Sequence, residues 1–329
     1  MYSEDDEEPY MLNQEDDGNH SDDTNLEEKI DNSKSQDSDE EDDSEDKIVA
    51  EASIPAISTL ASTLKCLNMT KHGNNHLIIS FHEKYIMLTH SNVTTPLNFV
   101  AYLEAENLLK YEYKHKEPTF QASYDAEAIW KSVERGKSGD PHITLVINIS
   151  GTLTIYSHVG ESRSHIQSLS AATFDLKYPL YTNTMKNTKF ILLASSIQEK
   201  LFKLPSMETL QNMYFMYCYH NGFSVDAYGE DGSSINTTCI GDADDGYDTK
   251  ESITQGSFSC IPTESESRAG VIRKFSISKD ILKSFNSILK LCPKTACVRI
   301  LVEEWKPLFM QIKLGTLGRA FVFIEHSEH

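Results

Sequence analysis

The sequence predicts an α+β protein of two similar domains, each built from antiparallel sheets with two helices and preceded by a disordered acidic tail. Three observations lead there. First, the formal net charge of -20 is unevenly placed: residues 1–50 hold 21 acidic residues and 3 lysines, so the remaining chain is nearly neutral. Second, short apolar runs with strand periodicity alternate with four amphipathic helical segments. Third, that order of helix, strand pair, turn and strands recurs about twice in each half of the body, as in an internal duplication.

Residues 1–52 are mostly Asp, Glu, Ser and Asn, too poor in apolar anchors to offset the entropy of ordering. Ser38 and Ser44 lie beside acidic residues and suit an acid-directed kinase. From Ser53 the pattern turns helical, with Ile57, Leu60, Ala61, Leu64 and Leu67 on one face after a start at Ser53/Pro55. The runs HLIISF, YIMLTH, LNFVAYL and LLKYEY read as strands of one antiparallel meander. A helix over about Asp125 to Gly136 puts Ala126, Ile129, Trp130 and Val133 on one face, and HITLVINI and TLTIYS follow as a hairpin about Ser150-Gly151. In the second half, KFILLAS precedes a short helix, SIQEKLFKL. MYFMYCYH and FSVDAYG flank the hairpin signal Asn221-Gly222, and SSINTTCIG follows. The chain closes with RKFSIS, the helix KDILKSFNSILKLC, and the strands CVRILVEE, PLFMQIKL and RAFVFIE.

The N-terminus has no apolar signal-peptide core, and nowhere do 18 apolar residues run together, so a soluble, non-exported chain with no membrane association is expected. The six cysteines form no CxxC pair and read as reduced thiols. No phosphate-binding loop, dinucleotide fingerprint, nucleophile elbow or HExxH motif is present. The loop Asp242 to Asp248 lacks the ligand spacing of a calcium loop, and Cys292 and Cys297 have no histidine pair to complete a zinc site. No catalytic residue, metal or cofactor is expected. An enzyme whose site gathers scattered His and Asp residues around Asp242–Asp248 is the competing reading from another class.

Basic residues on the helices stand out. In 279–292, Lys279, Lys283 and Lys290 fall within about 40° of one another, opposite Ile281, Leu282, Phe285, Ile288 and Leu289. The other helices carry Lys65, Lys131 with Arg135, and Lys200 with Lys203, against the acidic exceptions Glu134 and Glu199. Such faces neutralise phosphates without reading bases.

At this point the chain resembles the DNA sliding clamps of the proliferating cell nuclear antigen type. The resemblance is best over residues 271–324, in the order RKFSIS, LKLCPKT, VRILVEE, KPLFMQIKLGTLG and a last aromatic strand, and it recurs in MYCYHNGFSVDAYGEDG. Over 55–160 it lies in element order more than in residues. It implies a clamp fold with domains at 53–169 and 187–329 and a connector over 170–186. It further implies a head-to-tail ring, commonly a homotrimer, around double-stranded DNA held without sequence preference. Such a ring is a processivity factor that tethers DNA polymerase and other replication or repair proteins, in the nucleus or, for a viral member, the virus replication compartment. A subunit of a checkpoint-type heterotrimeric clamp, or a viral processivity factor that forms no ring, is the nearby alternative. The pore would be lined by Lys65, Lys131, Arg135, Lys200, Lys203, Lys279, Lys283 and Lys290. Subunits would meet through Ser162, His165, Ile166 and Ser168 of one edge strand and Ser234, Ile235 and Thr237 of another. A groove for partner peptides would take in Val93, Leu97, Phe174, Leu176, Tyr178, Leu180, Pro307 and Phe323. Where the family ends its last strand in Ala-Pro, this chain has Glu325-His326. The acidic tail is a second departure, with the charge of a DNA mimic beside a basic pore.

Overall fold

The computed structural model describes residues 47–69, 76–90, 97–137, 142–159, 162–172, 189–202, 210–219, 222–229, 234–240, 242–243, 273–301 and 307–324. The first half runs β1 (Ile48–Ile54), α1 (Ile57–Met69), β2 (His76–His82), β3 (Tyr85–His90), β4 (Leu97–Glu104), β5 (Lys110–Tyr113), β6 (Thr119–Asp125), α2 (Ala126–Arg135), β7 (Ile143–Asn148), β8 (Leu153–Val159) and β9 (Ser162–Leu169). The second half runs β10 (Lys189–Leu193), α3 (Ala194–Phe202), β11 (Leu210–Tyr219), β12 (Gly222–Gly229), β13 (Ser234–Ile240), β14 (Asp242–Ala243), β15 (Arg273–Ser278), α4 (Lys279–Leu289), β16 (Cys297–Leu301), β17 (Leu308–Leu314) and β18 (Gly318–Ile324).

The two halves have the same order of strands and helices, and they have the same pairings. In the first, β1 pairs β5 and β7, β7 pairs β8, and β8 pairs β9. In the second, β10 pairs β14 and β16, β16 pairs β17, and β17 pairs β18. The chain β6-β2-β3-β4 is matched likewise by β15-β11-β12-β13. Each half thus supplies a five-stranded and a four-stranded unit. The β18–β4 pair fuses the five-stranded unit of the second half to the four-stranded unit of the first, making one nine-stranded sheet. The remaining two units stand as separate sheets, ending in the edge strands β9 and β13.

Local chemistry sets the helix ends. Asp125 caps α2 by accepting a hydrogen bond from the Ala128 N–H at 2.6 Å, and Ser278 caps α4 by accepting from the Ile281 N–H at 3.3 Å. At the other end of α4 the buried Gln198 side-chain amide of α3 donates to the Leu289 carbonyl at 2.8 Å and satisfies one of the orphan acceptors there. The apolar faces bury as periodicity requires: Leu60, Leu64 and Leu67 in α1, Ile129 and Val133 in α2, Leu282, Phe285 and Ile288 in α4. The buried Tyr124 hydroxyl donates to the Gly151 carbonyl at 2.7 Å, tying β6 to the β7–β8 turn.

Two expectations are corrected. Residues 48–52, assigned to the tail, form most of β1, which lies between β5 and β7 with Val49, Ala50, Ala52 and Ile54 buried. The acidic run just before them and Glu51 among them disguise a strand that the sheet secures from both sides. LLKYEY does not continue the meander; Lys110–Tyr113 pairs β1 in another sheet. The place beside β4 goes to β18 of the other half, and the place beside β2 to β6, whose TFQASYD carries little apolar signal.

The β4–β18 junction holds seven registered residue pairs, from Gly318↔Leu103 to Ile324↔Leu97. Gly318 has φ 152°, and a Cβ there would lie 2.2 Å from the Tyr102 carbonyl oxygen. Only glycine fits such a conformation and such a backbone approach. Gly318→Ala is therefore expected to lower the unfolding free energy by about 3 kcal/mol, measured by denaturant titration; a loss under about 1 kcal/mol would mean that the seam tolerates a Cβ.

Candidate nucleic-acid and subunit interfaces

The helices form a continuous row: α2 packs on α1, α1 on α4 of the other half, and α4 on α3. Their buried faces meet the core, which leaves Lys65, Lys131, Arg135, Lys283 and Lys290 exposed and Lys279 half-buried. Seven of the eight basic residues expected to contact DNA therefore lie on this row, Lys200 as part of α3, and Lys203 lies outside the described residues. The row carries more acid than Glu134 and Glu199. Lys131 is bridged to Glu127 at 2.8 Å and Lys283 to Asp280 at 3.7 Å. Both acids sit in a first helical turn, where the helix dipole favours a carboxylate. Exposed pairs of this kind contribute only about 0.3–0.5 kcal/mol, so a phosphate can replace the carboxylate.

The expected subunit-contact residues lie on two sheet edges. Ser162, His165 and Ser168 on β9 are exposed and Ile166 is half-buried against the core. The His165 ring makes a 2.9 Å hydrogen bond to the Ser168 hydroxyl along the strand. Ser234, Ile235 and Thr237 occupy β13, in register with Tyr228, Ala227 and Val225 of β12. β9 and β13 stand in the two halves where β18 and β4 stand, because they are the terminal strands of the corresponding five- and four-stranded units.

The expected groove is only partly described. Val93, Phe174, Leu176, Tyr178 and Leu180 lie outside the described residues. Pro307 is half-buried, just before β17. Phe323 faces the outer side of the nine-stranded sheet, where it meets Phe309 at 5.0 Å between ring centroids. Leu97 is corrected: it is buried in the core on the opposite face, paired with Ile324, while Phe323 pairs with Asn98. Alternation along β4 puts Val100 and Tyr102 on the outer face instead.

Sequence reasoning missed what this outer face holds. A ladder of rings crosses the seam: His82 on Tyr85 at 4.3 Å, Tyr85 on Tyr102 at 5.3 Å, Tyr102 on Phe321 at 5.3 Å, Phe321 on Phe309 at 5.1 Å, and then Phe323. Arg319 reaches Glu104 across the seam at 3.4 Å. Burial raises the Tyr102 hydroxyl pKa, Tyr85 adds to the rise, and Arg319 opposes it; burial lowers the pKa of His82. Both shifts favour the uncharged forms of Tyr102 and His82. The one available signal was Phe323 itself, since residues two apart share a face and Phe321 follows from it.

Comparison with solved structures finds the fold similar to that of PCNA from Thermococcus kodakaraensis, with a TM-score of 0.59 and 12% identity over 84% of this chain and 99% of that one. No protein-family model and no curated protein matches the sequence. The chain thus has the PCNA-like clamp fold, an α+β architecture of antiparallel sheets with few helices.

Among the described residues no three His, Cys, Asp or Glu side chains are placed to hold a metal ion, and no helix is long and apolar enough to cross a membrane. Of the Asp242–Asp248 loop only Asp242 and Ala243 are described, as a short strand on β10. Cys66, Cys218 and Cys292 are buried and form no disulfide. Burial pushes the Cys66 pKa up to about 12 despite the neighbouring Lys65, so it holds its proton and is no nucleophile. The fold keeps this thiol neutral, so its burial stabilises fully below the ordinary thiol pKa of 9.0 and progressively less as pH rises above it. Cys66 is expected to resist iodoacetamide at pH 8 in the native chain and to react once unfolded, as read by peptide mass mapping. Rapid native alkylation would show an accessible thiolate.

Proposed function

We infer that this chain is a sliding clamp: a non-enzymatic DNA polymerase processivity factor that closes into a ring around duplex DNA and tethers replication or repair proteins. The observation that carries this reading is the unused counterpart of the β18–β4 junction. Inside the chain a five-stranded unit meets a four-stranded unit through an antiparallel edge pair. The other five-stranded unit ends in β9 and the other four-stranded unit in β13, strands of eight and seven residues. Pairing β9 of one copy with β13 of the next repeats the internal junction and builds another nine-stranded sheet. It also removes two open edges, each a liability in a single chain. The contact is head-to-tail, so it propagates until it closes, and a closed ring holds DNA by encirclement rather than by affinity. In this reading a first domain over β1–β9, a connector over 170–186 and a second domain over β10–β18 make one third of a homotrimer.

The helix row supports the same reading. Exposed lysines without a base-reading element suit sequence-independent contact with phosphates that a sliding duplex presents in any register. The outer aromatic ladder with Phe323 and Pro307 supplies an apolar surface of the kind on which short peptides from polymerases and other partners insert anchors.

Light scattering on the intact chain is expected to give about three times the chain mass of 37.2 kDa; a mass of one chain would overturn the ring and favour a processivity factor that works without one. Replacing Lys283 and Lys290 together by Glu should leave the mass unchanged and reduce retention on duplex DNA about tenfold or more at low salt. Unchanged retention by an intact ring would show that these helices do not face DNA.

A further inference from the structure

A surface cleft of about 300 Å³ lies at the end of the five-stranded sheet away from β9, lined by Lys47, Ile48, Val49, Lys114, His115, Lys116, Glu117 and Ile149. Main-chain hydrogen bonds shape it: the Ile149 N–H donates to the Lys47 carbonyl at 2.9 Å and the Lys114 N–H to the Val49 carbonyl at 2.8 Å. Its floor is apolar and open, with Ile48 39% and Ile149 44% exposed, two of the four most exposed large apolar side chains among the described residues. Its rim is basic. Lys114 is bridged to Glu112 at 2.9 Å, while neither Lys47 nor Lys116 has an ion pair among the described residues. The only acid in the lining is Glu117.

Lysines on an edge strand commonly do no more than discourage edge-to-edge pairing. Here the chain also brings a complementary segment to the same place. Lys47, a wall of the cleft, directly follows Asp37–Asp46, ten residues of which eight are acidic and two are Ser38 and Ser44. Ten residues reach at most about 33–36 Å, enough to turn back over Lys114 and Lys116. A tether this short gives an effective concentration on the order of millimolar, so even weak charge pairing is populated.

We propose that this cleft is the docking site of the chain's own acidic run, Asp37–Asp46, whose carboxylates neutralise Lys114 and Lys116. The sheet order β5-β1-β7-β8-β9 puts four strand spacings, about 19 Å, between this contact and the β9 edge. The tail is thereby anchored at the edge opposite to the one proposed for subunit pairing, and on the sheet rather than on the helix lysines. Phosphate on Ser38 or Ser44 would add charge to the same contact. The inference stands independently of ring formation.

Zero-length carbodiimide cross-linking of the full chain, with peptide mapping, tests it. The Lys131–Glu127 bridge at 2.8 Å is an internal control that the reagent must capture. Expected are links from the carboxylates of 37–46 to Lys114 or Lys116, falling about fivefold or more in 0.5 M salt. In a mixture of ¹⁴N- and ¹⁵N-labelled chains these links should join residues of one label. Links to Lys65, Lys131, Lys283 or Lys290 would overturn the proposal in favour of a tail on the helices. Links between labels would show a second copy as the occupant, and no tail link beside a positive control would show no docking. As a second readout, the amide shifts of His115, Lys116 and Glu117 should move in the full chain carrying Glu40→Gln, Glu41→Gln, Asp42→Asn and Asp43→Asn; unmoved shifts would also overturn it.

Discussion

The antiparallel pair β18–β4 is the contact on which the rest of the architecture depends. Among the described residues it is the one edge-to-edge pairing between the two halves, and its main-chain hydrogen bonds turn a five-stranded and a four-stranded unit into a single sheet. Its tightest point is Gly318, whose Cα lies so near the Tyr102 carbonyl that no side chain fits. The Glu104 N–H donates to the Leu317 carbonyl at 3.0 Å beside it, closing the turn onto the seam. With the seam in place, α1 of one half packs on α4 of the other, and the helices make one row instead of two separate pairs.

A duplicated unit with one junction made internally leaves the partners of a second junction unpaired. Among the described residues β9 and β13 are sheet edges, because the chain has two repeats and makes only one of two equivalent contacts internally. The same arrangement assigns the two sides of the molecule. The helix row keeps its lysines away from the sheets, where weak bridges to Glu127 and Asp280 leave them free to exchange partners. The outer face of the nine-stranded sheet carries rings from five strands, and burial there favours the uncharged forms of His82 and Tyr102. Basic charge and apolar surface are thus segregated by the sheet between them.

Much of this was legible in the sequence wherever periodicity and burial agree. YIMLTH and RKFSIS form strands with the bounds expected, and α2 and α4 sit where apolar spacing put them, each behind a capping side chain, Asp125 and Ser278. β1 and β6 were not legible. Each is stabilised by neighbours on both sides or by a few buried small residues such as Ala50, Ala52, Ala122 and Ser123 rather than by a conspicuous apolar pattern. Leu97 shows the same gap at the level of one residue: placing the strand did not settle its phase, which the register with β18 decides.

By itself the sequence determined where charge and apolar surface lie along the chain. It set the acidic segment before Lys47, the lysines on helix faces opposite their core residues, and an element order that repeats. These depend on composition and on periods of 3.6 and 2 residues, which are local. Only the tertiary structure decided which strands pair across distant sequence, that Tyr102 and Phe321 stack over the seam, and that Lys47 meets Lys114 and Lys116 at one cleft. Those follow from sheet register, and register couples residues hundreds of positions apart through hydrogen bonds that no local pattern encodes.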